Sequence, residues 1–109
     1  YDEISLTNDT KVYSNKFEGI LKSKEFELEN LKASEIKGGT DIPSSSKIFM
    51  NVLNGDGTES QNNVVCANAG AAISISKDLS IKEGFELAKE SLISGKALES
   101  FNKLKKIMV

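Results

Sequence analysis

Apolar positions along this chain fall into four helical patterns behind an extended N-terminal third. The clearest is Asn63–Ile75, inside the longest charge-free run of the sequence. Apolar or very small residues cover nearly every side of it. Gly70 in its middle and the shortage of large β-branched residues argue against a strand, and a helix beginning near Ser60 fits better. A helix apolar most of the way round is buried on several sides. Ala67, Ala69, Gly70, Ala71 and Ala72 would let neighbouring elements come close. A charge placed at Ala71 is expected to cost roughly several kcal/mol, the scale of burying an unpaired charge.

The remaining patterns are amphipathic. Ile48, Phe49, Val52 and Leu53 recur at helical spacing, with Thr40 and Asp41 as N-caps ahead of Pro43 and Gly55 as the stop. Ser80 and Glu83 have capping-box spacing. Behind them Ile81, Phe85, Ala88 and Leu92 form one stripe, with Gly95 placed to end it. Ala97, Phe101, Leu104 and Met108 repeat the spacing in a last helix. Upstream the chain reads as extended. Tyr1–Leu6 runs into a turn at Thr7–Thr10, and Lys11–Ser14 is a strand. Asn15–Gly19 turns the chain, with Gly19 able to take positive φ, and Ile20–Leu28 returns with Ile20, Phe26 and Leu28 on one face. Leu31–Lys37 is polar and short, a single turn stopped by Gly38-Gly39. The expected fold class is α+β: an N-terminal antiparallel hairpin followed by about four helices, one domain's worth in 109 residues.

Composition narrows the function classes. A net charge of -2 and a pI near 5.2 give no support for a nucleic-acid partner. Lys103, Lys105 and Lys106 complement the dipole of the last helix rather than marking a phosphate patch. No run approaches the ~20 apolar residues that span a bilayer, so no membrane partner is expected. One cysteine excludes an internal disulfide. Cys66, in the uncharged run with nothing basic nearby, reads as an inert buried thiol in a reducing, cytoplasmic compartment. There is no histidine, which removes the commonest general base and metal ligand together. Asn68 reads as a satisfied core amide. Ser5 is a ligand contact or an outward-facing strand residue. Tyr1-Asp2-Glu3, without an initiator Met, reads like the middle of a longer chain.

Several separated stretches together resemble the C-terminal part of the anthranilate phosphoribosyltransferases. They are Asp2-Glu3-Ile4-Ser5-Leu6 with Thr10-Lys11-Val12, Gly38-Gly39, Leu53-Asn54-Gly55, Gln61-Asn62-Asn63-Val64-Val65 with Ala67-Asn68-Ala69, Leu79 to Gly84, and Ser94-Gly95-Lys96-Ala97-Leu98. They follow in the family's order across essentially the whole chain, which would be a fragment of the family's larger α/β domain. The resemblance implies a Mg²⁺-dependent transfer of phosphoribosyl from phosphoribosyl pyrophosphate to the amine of anthranilate, a step of tryptophan biosynthesis, in a protein that is usually a homodimer. The family's adjacent acidic pair, which helps hold Mg²⁺ against the pyrophosphate, is matched by Asp2 and Glu3. Carboxylates suit that metal, which prefers hard oxygen ligands.

Other parts of the family pattern are missing. Neither Gly38-Gly39 nor Gly55-Asp56-Gly57 has the spelling of the glycine-rich phosphate loop. The Lys-His-Gly-Asn segment and the anthranilate-associated arginine have no counterpart, and neither does the helical dimerisation domain. Ser44–Ser46 stand where the family has Asn-Ala. No catalytic or substrate-binding residue is therefore expected within residues 1–109, and this stretch alone is expected to be inactive. A sheet edge and an apolar face left open would favour self-association. Two alternatives stay open: a nucleoside phosphorylase-like domain, or a small non-catalytic binding or assembly domain.

Overall fold

The computed structural model describes residues 3–13 and 18–108. A two-stranded antiparallel sheet, β1 (Thr10–Tyr13) and β2 (Glu18–Leu21), is followed by four helices: α1 (Ile42–Asn54), α2 (Glu59–Lys77), α3 (Ile81–Ile93) and α4 (Lys96–Met108). The hairpin-then-helices order is the one the hydrophobic pattern predicts. The turn at 14–17 lies outside the described residues. Gly19 is a ladder residue opposite Val12 and is not among the positive-φ glycines, which are Gly55 and Gly95.

The returning strand is shorter than its alternation suggests. Beyond Leu21 the chain leaves the ladder for a 3₁₀ turn at Ser23–Phe26, where the Lys22 N–H donates to the Glu25 carboxylate at 2.8 Å. Glu27 then takes a left-handed conformation, φ 61°, and the turn swings Phe26 into the core against Phe85, with ring centroids 5.4 Å apart. A second 3₁₀ turn occupies Ala33–Ile36, the single turn anticipated there. Described residues 3–9 form no strand.

Side chains close the helix starts, at Asp41 and Ser80 as the sequence signals and at Thr58 where it reads as a loop. Asp41, Thr58 and Ser80 cap α1, α2 and α3, each accepting from the backbone N–H three residues on. Ser44, departing from the family spelling, completes the first box by accepting the Asp41 N–H at 3.2 Å. Gly55 ends α1 with φ 87°.

The core gathers Leu6, Leu21, Phe26, Val52, Cys66, Ala67, Phe85, Ala88 and Leu92. Its centre is the pair α2 and α3, between which the chain bends by 118°. Small residues allow the close approach at Gly70 and Gly84. α2 is buried on fewer sides than its composition implies, since Val65 is 46% and Ile75 42% exposed. α4 leans on α1 through an edge-on contact of Phe101 with Phe49, centroids 5.0 Å apart, and none of its residues is fully buried. Among the described residues no single helix is long and apolar enough to cross a membrane.

Candidate functional site

Of the two acidic residues singled out as metal ligands, Asp2 lies outside the described residues. Glu3 is exposed, at the mouth of a cavity of about 520 Å³ between the hairpin and α2. The cavity wall is mostly apolar, including Ile4, Val12, Leu21 and Ile81, with Lys11, Glu25 and Asn68 among its polar residues. Among the described residues no three Cys, Asp or Glu side chains gather into a metal cage.

What fixes the backbone behind Glu3 is a side chain from the middle of α2. Asn68 Oδ1 accepts the Ile4 N–H at 2.9 Å, and Asn68 Nδ2 donates to the Ile4 carbonyl at 2.7 Å. The same nitrogen donates to the Val64 carbonyl one turn earlier at 2.9 Å, so both its hydrogens are used. The amide is satisfied, as expected of a polar group inside this helix. It takes the place of a strand partner for Ile4.

Two residues on, Leu6 is the largest fully buried side chain and has φ 64°, a left-handed conformation costing about 1–2 kcal/mol for a residue with a Cβ. Its carbonyl accepts from the Leu31 N–H at 2.8 Å and the Ser23 hydroxyl at 3.2 Å. Ser5 between them is buried, with its hydroxyl 2.7 Å from that of Thr7 and accepting the Thr7 N–H at 3.3 Å. It is neither an outward strand residue nor open to a ligand, because the Asn68 clamp and the Leu6 backbone turn the chain inward here. Residues 4–6 are thus held from α2, from the first 3₁₀ turn and from Leu31.

The other candidates serve the fold. Burial pushes the Cys66 thiol above its ordinary range. Lys89 acts on it in the opposite sense and more weakly, a basic neighbour that adjacency in sequence does not reveal. Lys103 pairs with Glu99 at 3.7 Å, and the Lys105 ammonium lies 5.5 Å from the Phe101 ring centre. Gly39 and Gly57 sit tight against Ser45 and Val52, and Gly55 is the α1 cap. Sequence reasoning missed the reach of Asn68. The available signal was an amide amid alanines on a helix that buries its neighbours, a group that must find partners somewhere.

The segment from Glu3 to Leu6 is thus held against the central helix of a hairpin-and-helices unit. The chain belongs to the glycosyl transferase family, whose α/β-domain model it matches over residues 1–98. Among curated proteins it is similar to the anthranilate phosphoribosyltransferase of Flavobacterium psychrophilum, 54% identical over 107 residues, which are 98% of this chain and 32% of that protein. The protein of the same name from Christiangramia forsetii is 56% identical over the same shares. That of Bacteroides thetaiotaomicron is 40% identical over 104 residues, 94% of this chain and 31% of the relative. The chain thus spans about a third of the length of the curated relatives it matches.

Proposed function

We propose that this chain is the C-terminal portion of the α/β domain of an anthranilate phosphoribosyltransferase. In a protein about three times this length it would serve transfer of phosphoribosyl from phosphoribosyl pyrophosphate to anthranilate, releasing pyrophosphate. The observation that carries the reading is the family match over residues 1–98, which takes in Asp2 and Glu3, together with the high identity to proteins of that name.

The metal reading has its own support. Glu3 offers an exposed carboxylate next to a peptide held by Asn68, and Asp2, outside the described residues, would supply the second. That donor set fits Mg²⁺, which is commonly held by one or two carboxylates with substrate phosphate and water. Asp2 and Glu3 would hold the ion; when bound, it supplies charge neutralisation to the leaving pyrophosphate. The glycine-rich phosphate loop and the helical dimerisation domain belong to the other two-thirds of such a protein, so this stretch alone is inactive. The intact protein is a cytoplasmic homodimer. The 109-residue chain self-associates through surfaces that expose Ile42, Ile93, Ile107 and Met108.

The test is the full-length protein with phosphoribosyl pyrophosphate, anthranilate and Mg²⁺, following the loss of anthranilate fluorescence. Turnover is expected, together with its collapse in Asp2→Asn/Glu3→Gln. No turnover with anthranilate, or phosphorolysis of a nucleoside instead, would overturn the assignment. Turnover by residues 1–109 alone would overturn the claim of inactivity.

A further inference from the structure

Resting on that reading, we propose that Asn68 is a positioning residue for the metal-binding Glu3, acting through the backbone of Ile4. The geometry favours position over mere stability. The Ile4 N–H belongs to the peptide plane that joins Glu3 to Ile4, so its bond to Asn68 Oδ1 fixes the plane next to the Glu3 Cα. The same side-chain amide donates to the Ile4 carbonyl and so holds the following peptide plane as well. The next residue back is left at the cavity mouth with its carboxylate exposed. On the other side of the clamp the chain accepts a left-handed Leu6, whose carbonyl is held from two directions. Backbone strain of this kind persists where the surroundings over-determine it, and it gathers at functional sites. Asn68 itself is anchored to the Val64 carbonyl at 2.9 Å, so the rigidity of α2 passes to the segment carrying Glu3.

Groups that orient ligands without touching the metal are typically worth about 10–100-fold in metal affinity or activity. In the full-length protein, Asn68→Ala should raise the Mg²⁺ concentration for half-maximal turnover about tenfold or more, with a smaller loss of rate at saturating metal. Mn²⁺ with inorganic pyrophosphate gives a second readout: the free-Mn²⁺ paramagnetic resonance signal should report the same weakening. Ser76→Ala, which alters an exposed hydroxyl of the same helix outside the cavity lining, should leave the metal dependence unchanged. A lowered melting temperature with unchanged metal half-saturation in Asn68→Ala would overturn the positioning role. Should that variant not fold, hydrogen exchange of the unsubstituted protein decides: the Ile4 amide should exchange far more slowly than loop amides, and exchange at loop rates would overturn the proposal. Mn²⁺ binding without use of anthranilate would sink the functional reading but not the clamp. Turnover with no Asn68→Ala shift would sink the clamp alone. No Mn²⁺ binding by the unsubstituted protein would sink both.

Discussion

Gly70 of α2 and Gly84 of α3 meet backbone to backbone. A methyl group on Gly70 would lie 2.6 Å from the Phe85 backbone, and one on Gly84 would overlap the Gly70 carbonyl oxygen. Neither helix can yield without moving the Phe26–Phe85 contact beside it. Gly84→Ala is therefore expected to destabilise by about 1–3 kcal/mol, the cost of overpacking, despite alanine's better helix propensity. Gly38→Ala, with nothing within 4 Å, should be close to neutral. Urea unfolding of the two variants checks the contrast.

Leu6 combines deep burial with a left-handed backbone. Leu6→Ala should cost about 2–5 kcal/mol by removing a buried side chain. Leu6→Gly loses the same contacts but relieves the backbone, so it should be no less stable than Leu6→Ala. At an ordinary site glycine would be the worse of the two. Equilibrium denaturation of the pair gives the order directly.

Charge tolerance along α2 should follow its packing rather than its composition. Ala67 is fully buried, so Ala67→Asp should cost several kcal/mol, on the order of an uncompensated buried charge. Ala71 is only half-buried at the cavity wall, and Ala71→Asp should be clearly milder, a correction to the expectation drawn from the sequence. Thermal melts by circular dichroism should separate the two, and equal melting temperatures would contradict this placement of α2.

Stability should fall on the acid side. The Glu83 carboxyl is held below its ordinary value of 4.5 by the Ser80 N–H and then the Ser80 hydroxyl. Glu35 is lowered first by the Ser60 hydroxyl, and Asp41 is lowered from 3.8 by hydrogen bonds with Ser44. Each folded value lies below the unfolded one. These contributions are therefore complete above the ordinary values and disappear as pH falls through the lowered ones. Lys82 runs the other way: raised above 10.5, chiefly by its hydrogen bond with Glu27, it contributes until pH rises through its folded value. All four are at the surface, so each effect is small. Melting temperature against pH from 7 to 3 should show the decline, and Glu83→Gln should make it shallower.

Much of the helical architecture is legible in the sequence because its signals are local. Asp41 and Ser80 announce helix starts by chemistry confined to one turn, and Gly55 announces an end. The second strand is shorter than its alternation predicts because Phe26 is buried against Phe85, about sixty residues away, a contact that the local pattern does not carry. The burial of α2 was overestimated for a related reason: uniform apolarity does not say which side finds a partner, and α3 covers one side while Val65 and Ile75 stay open. At the candidate site the acidic pair is visible by resemblance alone. Its support from Asn68 is not, because that depends on where Ile4 comes to rest.

The bond from Ile4 to Asn68 joins residues 64 positions apart. Closing it draws the hairpin, both 3₁₀ turns and α1 into one long loop, and the entropy of that closure opposes the contact until much of the chain is in place. The α2–α3 pair, built from near neighbours in sequence, carries no such burden. The stretch bearing Glu3 is thus among the last parts to acquire its shape during folding and among the first to lose it on unfolding. Its final shape becomes a late event in the life of the polypeptide, timed by the arrival of a helix made long after it.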